Sequence, residues 1–411
     1  MSGALPEGRP AVAGTVRVSL LVPALLALAA RVPGQEKPAP PPALPSAELS
    51  AQVEEVQEEP AADEDSDDGE ERPSFRWTRF RLNGRAIGRW QSTRQDNLSE
   101  SELDLENARL TLNWRPARWL RGQLEYDPAM NRKLKDAFLR VRTDALSLRG
   151  GQFKPPFSGI AMDSRWDLPI CERGQLDEVL RDSMGIVGRR PGLQLGYQPR
   201  GGDLDILAGV FRASSVDGER IGRRSFNNLA EDWAAKVTAR AQHERRRLRL
   251  GASADWRPAE PRPGEGDQRF WTLGADVAWR QRRKEGGWRL WGEGYLGSTW
   301  QDADPLDGVD ATFVAAQAIA AWRHGGRKAH AFYLEPYSLL SIFDPDTRIR
   351  NDLMWEAAGG VNVGRWDQLR FTVEVQHRSV DVNAPPSLGL VIVDAAPYSR
   401  TRLVLQLGGA F

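Results

Sequence analysis

Nine arginines between positions 79 and 149 form the most chemically suggestive pattern in this chain: Arg79, Arg81, Arg85, Arg89, Arg109, Arg121, Arg140, Arg142 and Arg149. A guanidinium is planar, permanently charged and able to meet two oxygens at once, so an array of them points to oxyanions. Covalent and metal chemistry lack comparable support. His243, His324, His330 and His377 are widely spaced and form no metal or triad motif. No P-loop, paired-cysteine site or Gly-x-Ser-x-Gly elbow occurs. The aspartates of the stretch 302–310 lack the glycine and terminal glutamate placement of a calcium loop. Cys171 is the one cysteine, so an intramolecular disulfide is excluded, and it reads as an incidental loop thiol. No enzymatic activity, metal or cofactor is expected, and no nucleic-acid partner.

Charge is distributed unevenly. The 411 residues hold 56 basic and 56 acidic side chains. Residues 1–71 contain four of the basic and fourteen of the acidic ones, which leaves residues 72–411 with a net charge of +10. The basic body is therefore masked by one short acidic segment.

The elements that must position the arginines follow from periodicity. In residues 79–90, Phe80, Leu82, Gly84, Ala86, Gly88 and Trp90 share one face, while Arg79, Arg81, Asn83, Arg85 and Arg89 share the other. Ile87 breaks the rule. Side chains alternate across a strand, so one face is apolar or small and the other basic. The division recurs at 106–115, 118–127, 247–257 and 368–377. A soluble sheet would bury the apolar face in a core. A membrane barrel would turn it to lipid and the charged face to an aqueous lumen. Trp90, Trp114, Trp256 and Trp279 sit at or near strand ends on the apolar face, as an interfacial girdle requires, and favour the barrel.

Sixteen segments qualify: 79–90, 106–115, 118–127, 135–143, 145–152, 192–199, 203–211, 232–242, 247–257, 269–281, 287–297, 312–322, 329–338, 353–363, 368–377 and 400–411. Segments 145–152, 287–297 and 329–338 have ambiguous parity, so fourteen or eighteen strands stay open. The expectation is an all-β, transmembrane antiparallel barrel over residues 73–411, wide enough for an aqueous channel. Leu403, Leu405, Leu407, Gly409 and Phe411 share one face, so closure is expected in the final residues.

Two segments precede the barrel. Residues 1–30 read as a signal peptide, with Arg9 and Arg17, a thirteen-residue apolar run from Val18 to Ala30, and a small-x-small site at Ala27-Leu28-Ala29. The run falls short of the roughly 20 residues of a membrane-spanning helix. Residues 31–72 are Pro-rich, then acidic, and cannot bury enough apolar surface to order themselves, so they read as a solvated periplasmic spacer.

Residues 134–142 read Leu-Lys-Asp-Ala-Phe-Leu-Arg-Val-Arg, and 146–158 read Leu-Ser-Leu-Arg-Gly-Gly-Gln-Phe-Lys-Pro-Pro-Phe-Ser. With Glu125-Tyr126-Asp127 and Asn107 to Leu110 upstream, and Gly359 to Val363 and Arg402 to Phe411 downstream, this segment resembles the phosphate-selective porin O and P family. The resemblance implies a homotrimer of sixteen-stranded barrels in the bacterial outer membrane, contacting lipid and lipopolysaccharide. It also implies a long loop folded inward as a constriction, here residues 154–192, with Lys154, Arg165 and Arg173 among its charges. Phe411 resembles the signal presented to the barrel assembly machinery. Small anions are the implied solutes, with phosphate or polyphosphate among them. Only seven lysines occur, however, and no file of lysines leads through the barrel. A structural or adhesive barrel without specific transport is the alternative.

Overall fold

Alternation of apolar and polar side chains makes strands, and the chain carries it through sixteen of them. The computed structural model describes residues 79–95, 98–129, 133–199, 202–212, 235–245, 247–258, 269–281, 286–298, 312–325, 331–365, 368–381 and 398–410. The strands are β1 (Phe80–Gln95), β2 (Leu98–Ala117), β3 (Leu120–Tyr126), β4 (Leu134–Arg142), β5 (Leu146–Phe153), β6 (Arg190–Tyr197), β7 (Leu204–Arg212) and β8 (Ala235–Arg245). They continue as β9 (Leu248–Pro258), β10 (Arg269–Arg280), β11 (Gly286–Ser298), β12 (Thr312–Gly325), β13 (Phe332–Asp344), β14 (Met354–Arg365), β15 (Leu369–Val380) and β16 (Tyr398–Ala410). Each pairs antiparallel with its neighbours in sequence, and β16 pairs with β1 to close the barrel. The barrel lies within the unit Glu70–Phe411. The segments 1–30 and 31–72 and the terminal Phe411 lie outside the described residues.

Connections differ sharply between the two ends. At one end they are short: 118–119, 143–145, 198–203 and 246–247, for example. At the other most are long, including 154–189, 213–234 and 381–397, with 96–97 between β1 and β2 the short exception. Outward aromatic side chains mark two bands. Phe80 stacks on Trp114 with ring centroids 6.4 Å apart, and Trp288 stands opposite Trp322, both toward the short-turn end. Trp256 stands opposite Trp271 toward the long-loop end. On β10, Trp271 and Trp279 are separated by about 26 Å of strand, close to the height of an apolar membrane band.

The wall is not of even height. β3 to β7 have 7, 9, 8, 8 and 9 residues. β1 and β2 have 16 and 20. The first hairpin is the main departure from the sequence reading, which ended the first strand at Trp90 and began the second at Glu106. Beyond Trp90 the outward positions of β1 are Ser92 and Arg94, opposite Ser101 and Ser99, so the apolar alternation stops there although the pairing continues to Gln95 opposite Leu98, while Leu103 and Leu105 of β2 stay outward and exposed. A bulge at Ile87/Gly88 also shifts register there, with Ile87 opposite Asn107 and Gly88 opposite Leu105.

Ile87, the exception to alternation, does face the lumen. It is 1 % exposed, lying close to Trp166 of the loop 154–189 around Gly408. The same explanation covers much of the barrel. The loop lays an apolar surface against the inner face of β10 to β15. Phe157, Leu176, Val179, Leu180, Met184 and Ile186 pack with Tyr295, Phe313, Phe343 and Met354. Ile160, Leu168 and Ile170 pack with Ala278, Trp291, Ile319, Tyr337 and Leu339. Burying each such large side chain stabilises the packed loop by about 1.5–3 kcal/mol. The lumen is thus filled by the packed loop on one side and open along a charged wall on the other.

Candidate functional site

The site is made where β5 ends and the loop turns inward. Gly151 has φ +129°, and a Cβ there would lie 2.2 Å from the carbonyl oxygen of Ala137. Only glycine fits that approach to β4. Pro155 and Pro156 follow Lys154 and cannot donate to a ladder, which ends the strand. The Ser158 hydroxyl then accepts from the Ala161 amide at 3.0 Å, capping the short helix α1 (Gly159–Met162), and donates to Glu293 at 2.8 Å. Further along lie α2 (Gly174–Glu178) and a π-helical turn, Val179–Ser183.

Polar contacts tie this loop around nearly the whole barrel. Arg249 on β9 grips Asp163 through two bonds, 2.6 and 2.9 Å, and Trp291 on β11 adds a third at 3.2 Å. Glu106 on β2 pairs with Arg165. Arg370 on β15 donates to the carbonyls of Trp166 (3.0 Å) and Leu168 (2.8 Å), and Asn362 on β14 to that of Pro169 (2.7 Å). Glu172 receives Arg89 of β1 at 2.7 Å and also Arg402 of β16. Arg189 bonds Asp136 of β4 at 2.7 Å and Glu125 of β3 at 3.1 Å.

What the loop leaves open is a cavity of about 620 Å³ against β1 to β5. Seven basic side chains line it: Arg85, Arg109, Arg149, Lys154, Arg165, Arg173 and Arg189. Three acidic ones do so, Glu125, Asp136 and Asp167, together with Asn83, Thr111, Ser164, Met162 and Trp166. The formal charge of the lining is therefore +4. Arg109 is neutralised by Glu125 (3.0 Å) and Asp127 (3.3 Å). Among the described residues, no carboxylate lies within ion-pair distance of Arg85, Arg149, Lys154 or Arg173. Arg85 donates to the Ser164 hydroxyl at 3.2 Å, and Arg173 to the carbonyls of Ile160 (3.0 Å) and Asp163 (2.7 Å). The Arg149 guanidinium sits 3.6 and 4.1 Å from the ring centres of Phe138 and Phe153.

Register concentrates the positive charge. Arg85 stands directly opposite Arg109, Arg121 opposite Arg140, and Arg140 opposite Arg149. Like charges directly opposite on a sheet are destabilising, so the wall carries this cost where a counter-charge from solution could relieve it.

Six residues singled out in the sequence thus meet in one cavity: Arg85, Arg109, Arg149, Lys154, Arg165 and Arg173. The others do not line it. Arg89 is buried between Glu106 (2.8 Å) and Glu172, so it braces the loop. Arg79 and Arg81 are exposed at the start of β1. Arg121, Arg140 and Arg142 lie toward the short-turn end, donating to Asn113 (3.1 Å), Ser147 (3.3 Å) and Gln198 (2.9 Å). Sequence reasoning did not single out Asn83 and Thr111, although alternation placed both on the polar face. Arg189 is one of the charges of the loop expected to fold inward, whereas Trp166 and Met162 had no such signal, because a loop has no period.

The loop's ionisable groups are strongly perturbed. Burial tends to raise the Asp163 carboxyl, but Arg249 outweighs it and holds the group below the usual range. Burial likewise opposes Arg402, Arg89 and Arg165 at Glu172, and the arginines hold that carboxyl well below the usual range. Arg173 is pushed down to about 10, first by burial, with Asp177 opposing and Arg165 reinforcing it. For carboxyls depressed in the folded state, the stabilisation is complete above the unfolded values of about 4 and is lost as pH falls through the lowered ones. The contribution of these two anchors to the unfolding temperature, measured as the difference between the parent and Asp163→Asn or Glu172→Gln, is therefore expected to stay constant from pH 7 to about 4.5 and to shrink only in stronger acid. A difference that vanishes above pH 5 would show that these carboxylates are not depressed by their arginines.

A closed antiparallel barrel with outward aromatic bands and a loop-narrowed, charged lumen defines an outer-membrane channel protein. The chain belongs to the phosphate-selective porin O and P family, whose model matches residues 53–293. No curated protein matches it in sequence. Several solved structures share the fold. The outer membrane channel DcaP of Acinetobacter baumannii is 12% identical with a TM-score of 0.56, covering 83% of this chain and 100% of its own. An anion-selective porin from Comamonas acidovorans is 10% identical with a TM-score of 0.55, covering 81% and 99%. OmpT of Vibrio cholerae, described in a trimer form, is 9% identical with a TM-score of 0.50, covering 81% and 99%.

Proposed function

We propose that this porin is a passive channel biased toward small anions, with the conducting path running between β1–β5 and the loop. The observation that carries the reading is the +4 lining, in which Arg85, Arg149, Lys154 and Arg173 lack carboxylate partners. Fixed positive charge beside water attracts anions and is screened only over about 8 Å at physiological salt. Arg121, Arg140 and Arg142 extend the positive wall toward the short-turn end. Phosphate and polyphosphate are the candidate solutes that family membership adds.

Other elements of the proposal follow from barrel physics. Short turns face the periplasm and long loops the exterior in such barrels, so residues 31–72 would stand in the periplasm after export directed by residues 1–30. Phe411 would be read by the barrel assembly machinery. β3 to β7, at 7–9 residues, are short for a bilayer that needs about 9–11 per strand, which supports a homotrimer joined through that low wall, with lipid and lipopolysaccharide against the taller one.

Reconstitution in planar bilayers under a salt gradient tests the reading. The reversal potential should favour chloride over potassium, and added phosphate should reduce the chloride current. A cation-favouring potential would reject the anion bias. Absence of conductance would leave a structural or adhesive barrel.

A further inference from the structure

The cavity is not lined by charge alone. Met162 and Trp166 of the loop, both half-buried, stand in it among the arginines. Trp166 is held in place from several sides. The Arg370 guanidinium lies 4.9 Å from its ring centre, and the same side chain donates to its carbonyl oxygen at 3.0 Å. Its own amide donates to the Ser164 hydroxyl at 3.3 Å. The six-membered edge of the ring rests on Gly408 of β16, where a Cβ would come within 2.7 Å of it, so a glycine makes the seat.

Register sets that ring beside a cation. Gly408 stands opposite Ile87 and Ala410 opposite Arg85, so the seat and the guanidinium are consecutive inward positions of one strand pair, about 7 Å apart along the strand. The Ser164 hydroxyl that receives the Trp166 amide also receives Arg85, at 3.2 Å. One hydroxyl thus fixes both groups. A held guanidinium without a carboxylate partner, next to a held aromatic surface, matches an acid group joined to a flat apolar body. Size agrees. The cavity of about 620 Å³ lies within the range of about 300–1,000 Å³ typical of sites for organic molecules, and an inorganic oxyanion would reach only part of its lining.

We propose that the cavity selects organic oxyanions that carry a flat apolar group, with the oxyanion on Arg85 and the apolar group against Trp166 and Met162. This inference rests on the anion-attracting reading of the cavity for its charged half and adds the apolar half. Chloride and inorganic phosphate use only the first. A solute that uses both stays longer in the constriction and interrupts the current of smaller ions.

The probes are phenyl phosphate and methyl phosphate, which share a head group and differ in body, added to the full-length protein in planar bilayers. Phenyl phosphate should halve the current at about one tenth of the concentration that methyl phosphate needs. That factor corresponds to about 1.4 kcal/mol and falls within the range for a ring stacked on an aromatic side chain. Benzoate against acetate should follow the same order. Trp166→Gln should bring the two esters together, and Trp166→Phe should keep them apart. Gly408→Ala, which adds a methyl under the ring without replacing a cavity side chain, should narrow the gap. Heat-modifiable migration checks each barrel, and a ratio taken within one variant is unaffected by a change in its overall conductance. Equal block by the two esters in the unaltered protein overturns the inference, and with an anion-favouring reversal potential it does so while the channel reading stands. A full gap that persists in Trp166→Gln also overturns it. A cation-favouring reversal potential would instead reject the anion bias, and the ester ratio, read on the total current, would still decide the apolar half.

Discussion

Replacing Arg85 and Arg149 together by glutamine should lower the anion-over-cation permeability ratio by at least about tenfold. A unit charge at 4 Å in water changes an ion's energy by about 1 kcal/mol, which is about fivefold in local anion concentration, and two such charges multiply. These two are the right pair because neither is neutralised by a carboxylate. Arg85 donates to a hydroxyl, and Arg149 rests on two phenylalanine rings. Neither carries a loop anchor to a backbone carbonyl, as Arg173 does. Reversal potentials in a potassium chloride gradient measure the effect, with heat-modifiable migration as the control for folding. An unchanged ratio in a folded double variant would mean that ions take a path other than this cavity.

The second large effect is expected at Glu172. Its carboxylate joins Arg89 of the first strand to Arg402 of the last, and both guanidiniums are nearly buried. Arg89 keeps Glu106 when Glu172 is removed, but among the described residues the nearly buried Arg402 is left with only the amide oxygens of Gln376 and Gln91, and a buried charge without its counter-ion typically costs about 3–5 kcal/mol. Glu172→Gln should therefore free this stretch of the loop, raising conductance and current noise and lowering the unfolding temperature. Arg249→Gln, at the opposite anchor, should do the same to a smaller extent, since Asp163 keeps Trp291. Identical conductance, noise and unfolding temperature in Glu172→Gln would show that the loop is held by its apolar packing alone.

How much of this could be read from sequence depends on which face of a strand met lipid and which met the loop. Sixteen strands were legible because outward residues such as Leu248, Leu250 and Ala252 alternate with lumenal partners of contrasting polarity. Parity was ambiguous for β11 and β13 for a physical reason. Trp291, Tyr295, Tyr337, Leu339 and Phe343 point inward yet are apolar, because the loop covers them. Both faces of those strands are consequently apolar, and period two weakens. The β1–β2 extension was illegible for two reasons: Ser92, Arg94, Ser99 and Ser101 turn outward beyond the apolar band, and the bulge shifts Leu103 and Leu105 out of phase with Ala108 and Leu110. In the candidate site, the wall arginines were legible by alternation. The loop contributions of Trp166 and Met162 were not, because a loop has no period and its course depends on contacts such as Trp166 to Arg370, 204 residues apart in sequence.

The double grip on Glu172 also bears on how the molecule is assembled. The residue lies 83 positions after Arg89 and 230 before Arg402. A segment made in the first half of the chain therefore awaits a partner that arrives with the last strand. Contacts of such long sequence separation form late and make folding slow. Until they form, Glu172 and its arginines hold exposed charge that the finished barrel conceals. The seam between first and last strands is thus sealed from within, and completion of the loop and completion of the cylinder become a single late event.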